Sequence, residues 1–484
     1  MNAAIRIVAT FAGAVLIGAC SVPIEPSPRD GGLTLRDRFS GDTNASTTTT
    51  PADPRGFWHA IGAAGLDAAV ERALVSNRDL LAAAARLDAA RARAELAGAE
   101  LAPTLTARLD AQRRRFAFVG LPIGNSKVFS ATTNQHALSF DLSWEADLWG
   151  RVRAGDLAAE ADVAAADADL AAAAVSIAAR TCKAWFAAVE AAQQLELAER
   201  TAESRRVTVQ MIERRFENGV RPAFDVLLAR ADLDAALAAV QVRRRALDGA
   251  RRALSVLCGS DPTPPVDSGA ALPATPPPVP PGLPVDLLRR RPDLLAAERR
   301  LAAADARHAQ AKADRWPRLT LTASGGTTSD DLRDLVDLDF RVWSLGADLL
   351  APLFDGGRRT ATIELRDAER REAEARFAAL LLQALADVEN GLQATATLAE
   401  EERSLDAAAR QSHDAATIAA DRYGRGLSDV TTLLDAQRRA LLAETALLAV
   451  RRARLDAHVE LILALGGGFA STPAQTGVPP QSPR

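Results

Sequence analysis

Aromatic residues are scarce in this chain, 4% of 484 positions, and only one of them is a tyrosine. Since 48% of the residues are apolar, that scarcity leaves alanine and leucine as the bulk of the apolar content, the mixture that packs long helices at close range. After the N-terminus there is no uninterrupted apolar run of 18 or more residues, which argues against a membrane-crossing helix. If the chain crosses a bilayer, it does so with strands. The five histidines, His59, His136, His308, His413 and His458, are scattered with no two at ligand spacing, and neither a glycine-rich phosphate loop nor a nucleophile elbow occurs. No catalytic residue, cofactor or metal site is expected. The 62 acidic and 58 basic residues interleave to a net charge of −4, with no basic block to face phosphates, so nucleic acid is not an expected partner.

Of three cysteines, one stands in a telling place. MNAAIRIVATFAGAVLIGAC has one early cation, Arg6, an apolar run from Ile7 to Ile17, and small residues before Cys20. This is a secretory signal, residues 1–19, too short to span a bilayer stably. Its ending, Ile17-Gly18-Ala19-Cys20, resembles a bacterial lipobox, which implies a lipidated Cys20 as the mature N-terminus; Ser21 in place of aspartate implies sorting to the outer membrane. An ordinary signal peptide with a chance cysteine is the plainer alternative. Cys182 and Cys258 remain, and are read as buried free thiols.

The rest of the chain is written twice. RRFENGVRPAFDVLLAR (214–230) returns as DRYGRGLSDVTTLLDAQ (421–437), with Phe216 matching Tyr423, Gly219 matching Gly426 and Ala229 matching Ala436, each pair 207 apart. Upstream, Asn77-Arg78-Asp79-Leu80 and Pro103 recur as Arg291-Pro292-Asp293-Leu294 and Pro317 at an offset of 214. The first copy therefore carries 214 − 207 = 7 extra residues between these landmarks, expected in a connecting loop.

In that interval the period changes from helical to alternating. Leu105, Ala107 and Leu109 face one way, Thr104, Thr106, Arg108 and Asp110 the other; Leu138, Phe140, Leu142, Trp144 and Ala146 oppose Ser139, Asp141, Ser143, Glu145 and Asp147. RLTLTAS (318–324) and the run through Trp343, Leu345, Ala347 and Leu349, opposed by Gly346 and Asp348, repeat the design. A soluble sheet with one buried face would alternate in the same way. A membrane barrel with a wet lumen fits as well, and would place Asp141, Glu145 and Asp348 inside it.

Two proline-free stretches follow, 151–216 and 358–423, each of 66 residues and so about 100 Å long as helix. Beyond the glycine breaks, Val226, Leu233, Val240, Leu247 and Leu254 recur every seven residues, as do Leu434, Leu441, Leu448, Leu455 and Ile462. A strict seven-residue stripe is a coiled-coil seam, continued on the long helix by Leu195, Ala202, Val209 and Phe216. Gly219 and Gly426 thus become the tips of two antiparallel coiled-coil hairpins. The expected organisation is an irregular segment at 20–65, a first repeat at 66–258 (strands 104–115 and 136–148, helices 151–216 and 222–258) and a proline-rich linker at 259–283. A second repeat fills 284–465 (strands 318–326 and 340–352, helices 358–423 and 429–465), followed by a tail, 466–484. The fold class is mainly α with a membrane β part.

This layout, with RRFENGVRPAFDVL, RYGRGLSDVTTLLDAQ, WEADLWGR and APLFDGGR as its most specific pieces, resembles the outer-membrane efflux proteins of the TolC, OprM and NodT type over roughly 65–465. The resemblance implies a homotrimer, with a 12-stranded barrel in outer-membrane lipid and a helical periplasmic tunnel. It also implies a tripartite, RND-type efflux system in which a periplasmic adaptor and an inner-membrane pump deliver substrates. Adaptor docking would fall at Asn218, Gly219, Val220, Arg425, Gly426 and Leu427. A constriction would involve Asp225 and Asp435, with Arg425 and Asp429 nearby; Thr432 and Ser428 stand where some members carry an acid and a gating arginine. Helix N-capping is the alternative for Asp225 and Asp429. A coiled-coil envelope lipoprotein without a channel is the rival from another class, and a type I secretion exit duct a rival within it. Drugs, metal ions and small metabolites all remain admissible cargo.

The anchor reading is directly testable. Cys20→Ser should abolish incorporation of labelled fatty acid while leaving the strands able to insert; full labelling of that variant would refute the assignment of Cys20.

Overall fold

The computed structural model describes residues 21–28, 57–119, 128–263, 271–276 and 290–467. The expected signal peptide 1–19, the lipidation site Cys20, most of the segment 20–65, much of the linker 259–283 and nearly all of the tail 466–484 lie outside the described residues. Two compact units divide the chain: one comprises Met1–Arg29, Asp88–Ala165 and Glu298–Arg376, the other Asp30–Leu87, Ala166–Ala297 and Phe377–Arg484.

The elements run α1 (Ala64–Ser76), α2 (Arg78–Ala99), β1 (Thr104–Val119), β2 (Val128–Ala146), α3 (Arg151–Glu217), α4 (Ala223–Leu257), α5 (Pro292–Ala313), β3 (Arg318–Ser329), β4 (Arg341–Leu350), α6 (Arg358–Gly424) and α7 (Val430–Ala464). Both long helices have 67 residues and both four-helix partners α4 and α7 have 35. Each long helix opens in the same way. Gly150 and Gly357 take φ of 78° and 85°, a left-handed turn that residues with a Cβ avoid, and swing the chain out of the strand region. An aspartate then satisfies free amides of the first turn: Asp147 Oδ2 accepts from Arg153 N at 2.8 Å, and Asp355 accepts from Gly357 N and Arg359 N.

In the first unit the four strands make one antiparallel sheet in the order β1-β2-β3-β4. The central pair joins the two repeats, His136↔Ser329 to Ala146↔Leu319. Gly326 makes this join possible, since a Cβ there would lie 1.9 Å from the Leu138 carbonyl oxygen. Register reproduces the duplication: Thr104 pairs with Ser143 and its counterpart Arg318 with Leu350. The seven extra residues are not a longer loop, contrary to expectation. β1 and β2 stay paired to Val119↔Val128, whereas β3 and β4 stop at Thr327↔Arg341, so the insertion lengthens the ladder and the first connection is the shorter one. β1 and β3 accordingly run past the predicted ends at 115 and 326, and β2 begins at Val128, before the predicted 136, because hydrogen-bonded pairing continues where the apolar alternation has already ended; β2 stops at Ala146 and β4 at Leu350, each two residues short of the predicted 148 and 352.

Residues 21–28 run along the same unit. Val22 N donates to the Trp149 carbonyl at 3.1 Å, and Ser27 is held by a buried Asp305, which accepts from its N (2.9 Å) and Oγ (2.7 Å), while Arg370 donates to Ser27 Oγ at 3.0 Å. At the feet of the strands Trp149 stacks on Trp316 at 5.1 Å and donates to the Pro317 carbonyl.

The second unit is built around helix ends. Asn77 accepts from Asp79 N and Leu80 N, capping α2, and its Nδ2 donates to the Leu257 carbonyl at the end of α4. In the second repeat Arg291 stands 214 positions on; it pairs with Asp293 and Asp387 and donates to the Ala464 carbonyl at the end of α7. One junction is thus made twice with different chemistry. The seam positions Val226, Val240, Leu247 and Leu254 are buried, but Phe216, expected in the same stripe, is 44% exposed. The largest apolar cluster gathers Trp58, Leu66, Val70, Trp185, Phe186, Leu254, Leu455 and Val459 with both Cys182 and Cys258.

Both cysteines are free thiols. Burial pushes the Cys182 thiol up to about 12, and Cys258 also upward. Thiol reactivity needs the thiolate, so the native protein at pH 8 should resist a charged alkylating reagent. The denatured, unreduced lipidated protein should yield two thiols per chain; a yield of zero would reveal a Cys182–Cys258 bond.

Asp456 is shifted in the same direction, but as a carboxyl it carries a charge at neutral pH. Burial raises its carboxyl to about 6, against the partial relief of Arg452 and Lys183. A carboxyl raised in the folded state costs its full stability penalty above that value, and the cost shrinks as pH falls from there towards the ordinary value of 3.8. Asp456→Asn should therefore raise the unfolding temperature at pH 7.5 more than at pH 5, as a pair of thermal melts would record; equal gains at both pH values would remove Asp456 as the cause.

Candidate functional site

The two glycine breaks fold alike. After α3, Gly219 has φ of 71°, Gly219 N donates to the Phe216 carbonyl and Val220 N to the Arg215 carbonyl. After α6, Gly426 has φ of 76°, Gly426 N donates to the Tyr423 carbonyl and Leu427 N to the Arg422 carbonyl. This pair of bonds, closing six- and four-residue loops onto the last helical turn, is the Schellman termination, which requires the left-handed residue that glycine supplies. A Cβ at either glycine would meet nothing within 4 Å, so the backbone angle, not space, selects glycine.

Between the two breaks sits Tyr423, fully buried. It packs among Val209, Ile212, Val226, Ala229, Ala419, Val430, Leu433 and Leu434. Two arginines of the first repeat clasp it. The Arg215 guanidinium lies 4.8 Å from the ring centroid and donates to the carbonyls of Tyr423 (2.8 Å) and Gly424 (2.5 Å). Arg221 lies 5.4 Å from the same ring and donates to the carbonyl of Ser428, its own counterpart in the repeat. A cation over an aromatic face adds about 0.5–2 kcal/mol depending on desolvation. The two tips of one chain are therefore fastened by ring faces and backbone carbonyls.

The expected constriction residues have separate environments. Asp225 is buried and faces Arg221 at 4.0 Å; it is no cap, because Pro222 occupies the N-cap without a side-chain bond. Asp429 is the N-cap of α7, accepting from Thr432 N at 2.7 Å and Thr431 Oγ1 at 2.8 Å, and these bonds, the backbone amide foremost, hold its carboxyl below the usual range. Asp435 pairs with Arg439 and Arg438 of its own helix, each at 2.7 Å, which lowers its carboxyl likewise. Arg425 pairs with Asp421 at 3.1 Å. Among the described residues no hydrogen bond or ion pair links Asp225, Asp429, Asp435 and Arg425 to one another.

Of the expected docking residues, Asn218 donates through Nδ2 to the Arg214 carbonyl, and Val220 and Leu427 are 66% and 65% exposed. Phe224 and Leu227, which sequence reasoning passed over, are exposed beside them. Arg215, Arg221 and Tyr423 were also missed as functional residues; the Phe216–Tyr423 match at the breaks marked the repeat, but not the burial of only one member.

On the sheet, Asp141, Glu145 and Asp348 share one face. Asp141 accepts from Ser139 Oγ at 3.0 Å and Ser324 Oγ at 2.7 Å. Thr320 lies between Glu145 and Asp348, pairing with both. Glu145 is not an open carboxylate: Arg151 grips it with two bonds of 2.9 and 2.8 Å. The opposite face carries exposed Leu105, Leu109, Phe140, Trp343, Leu345 and Leu349. Among the described residues no group of histidine, cysteine and carboxylate side chains could hold a metal, and no helix is long and apolar enough to cross a membrane.

The chain is similar to outer membrane protein OprJ of Pseudomonas aeruginosa, 33% identical over 463 residues and 94% of each chain. It is 30% identical to the pyoverdine export outer membrane protein OpmQ of the same organism, covering 94% of this chain and 96% of that one. Among solved structures, the outer-membrane channel OprN superposes with a TM-score of 0.82 at 31% identity, over 92% of this chain and 99% of that one. The Campylobacter jejuni CmeC outer membrane channel shares the fold, with a TM-score of 0.86 at 22% identity, over 93% and 95% of the two chains. The outer membrane efflux protein model matches residues 69–260 and 283–467, one stretch per repeat, and the chain belongs to that family of outer-membrane transport ducts.

Proposed function

We propose that the chain is the passive exit duct of a tripartite efflux system: a lipid-anchored homotrimer that receives substrates from an inner-membrane pump through a periplasmic adaptor. It performs no chemistry, and the pump supplies the energy. The observation that carries this reading is the sheet. Four strands with one apolar and one polar face end in β1 and β4, each with an outer edge that no other strand among the described residues covers. Lipid does not tolerate such edges, and four strands are too few to close around a lumen, whereas three copies supply twelve. The exposed apolar side chains at the tips, Val220, Phe224, Leu227 and Leu427, suit an adaptor contact.

The mouth is assigned to the tips, with Asp225 as the acid coupled to the Tyr423 clasp through Arg221 and Asp435 as an acid on the second hairpin. Asp225→Asn combined with Asp435→Asn removes one partner each from Arg221 and from Arg438 and Arg439. In a planar bilayer the double variant should conduct more than wild type, about fivefold more if the closed mouth loses about 1 kcal/mol. Unchanged conductance from intact trimers would return both residues to a purely structural role.

A further inference from the structure

The ladder that lengthens the first hairpin carries three consecutive arginines, Arg113, Arg114 and Arg115, which the second hairpin lacks. Alternation decides where each one points. Arg113 and Arg115 continue the face of Leu105, Ala107 and Leu109, and Arg114 the polar face of Thr106 and Arg108. A tilted barrel strand needs about 9–11 residues to cross the hydrocarbon. Counted from Thr104, Arg113 is residue 113 − 104 + 1 = 10. The lipid-side face therefore changes from leucine to arginine where hydrocarbon gives way to headgroups, on the side of the hairpin turn, away from the helices.

Among the described residues no carboxylate pairs with Arg113 or Arg115. The cross-strand partners are Asn134 and Thr132, and Arg115 donates only to Ser130 Oγ at 3.2 Å. Among the described residues neither arginine is in an ion pair, and both are exposed. Three of the five aspartates between β3 and β4 are committed to their own loop: Asp331 and Asp337 each accept a backbone amide, and Asp334 accepts from Ser329. Side chains two apart on one strand face stand roughly 7 Å apart, and a guanidinium presents a planar fork of donors matched to phosphate oxygens.

We propose that Arg113 and Arg115 form a binding site for the phosphate-bearing headgroup of an outer-leaflet lipid. The inference rests on the sheet being the membrane barrel. Arg114, directed to the opposite face, takes no part.

The test compares full-length wild type, R113A/R115A and R114A, purified from outer membranes in mild detergent and exchanged into vesicles of neutral lipid with or without a phosphorylated lipid. Lipid carried through purification is read as phosphorus per trimer and identified by mass. Each arginine at a membrane surface contributes about fivefold in affinity, so the double variant should hold the phosphorylated lipid roughly 25-fold more weakly, with R114A like wild type. Equal phosphorus in all three would overturn the site. So would dissociation of R113A/R115A trimers with lipid per trimer unchanged, which would assign the arginines to the subunit contact. Recovery of wild type outside the outer-membrane fraction would instead overturn the barrel reading and the site together.

Discussion

Backbone amides and carbonyls at a sheet edge must find partners, and in lipid there is no water to provide them. This constraint organises the molecule. One repeat yields a two-stranded hairpin, which is marginal alone; two repeats joined through β2 and β3 yield four strands and still two open edges. Duplication within the chain does not remove the problem; the homotrimer proposed above would, by pairing β1 of one copy with β4 of the next. The exposed leucines and tryptophans of the outer face and the hydroxyls and carboxylates of the inner one are consistent with that closure, since they would be misplaced on a sheet packed against a soluble core.

Because the two repeats occupy equivalent but not identical places, each shared junction has diverged in chemistry while keeping its geometry. Asn77 and Arg291 bridge to the last carbonyls of α4 and α7 from equivalent positions, one as a neutral cap and the other as a buried cation with two carboxylates. Phe216 is exposed and Tyr423 buried. Arg221 donates to Ser428, the residue that replaces it in the second repeat. The fastening does not depend on the side chain at 428, because Arg221 takes the backbone carbonyl there.

Periodicity made the repeats, the hairpins, the long helices and their glycine ends legible, because each is a local rule written over many residues. The site was legible only in outline. Asp225 and Asp429 occupy similar positions after a break, and sequence alone left cap and constriction open for both; a proline at 222 leaves Asp225 without a capping role, while the threonines at 431 and 432 draw Asp429 into one. The ion pair between Glu145 and Arg151 was hidden because it joins a strand to a helix across a glycine turn whose direction alternation does not encode. The length of the first ladder was missed for a related reason: pairing persists on backbone bonds after the apolar pattern, which was the only signal of strand, has stopped.

The bonds at the tips also bear on where an opening motion can occur. Arg215 and Arg221 bind the second hairpin through carbonyls and a buried ring, contacts that ion-pair rearrangement does not release. Separating the two hairpins of one chain would expose Tyr423 and its apolar surround, at a cost of several kcal/mol for a side chain of that size. The half-exposed carboxylate of Asp435, by contrast, is held by arginines of its own helix and can exchange partners cheaply. The two tips of a chain should therefore move as one body.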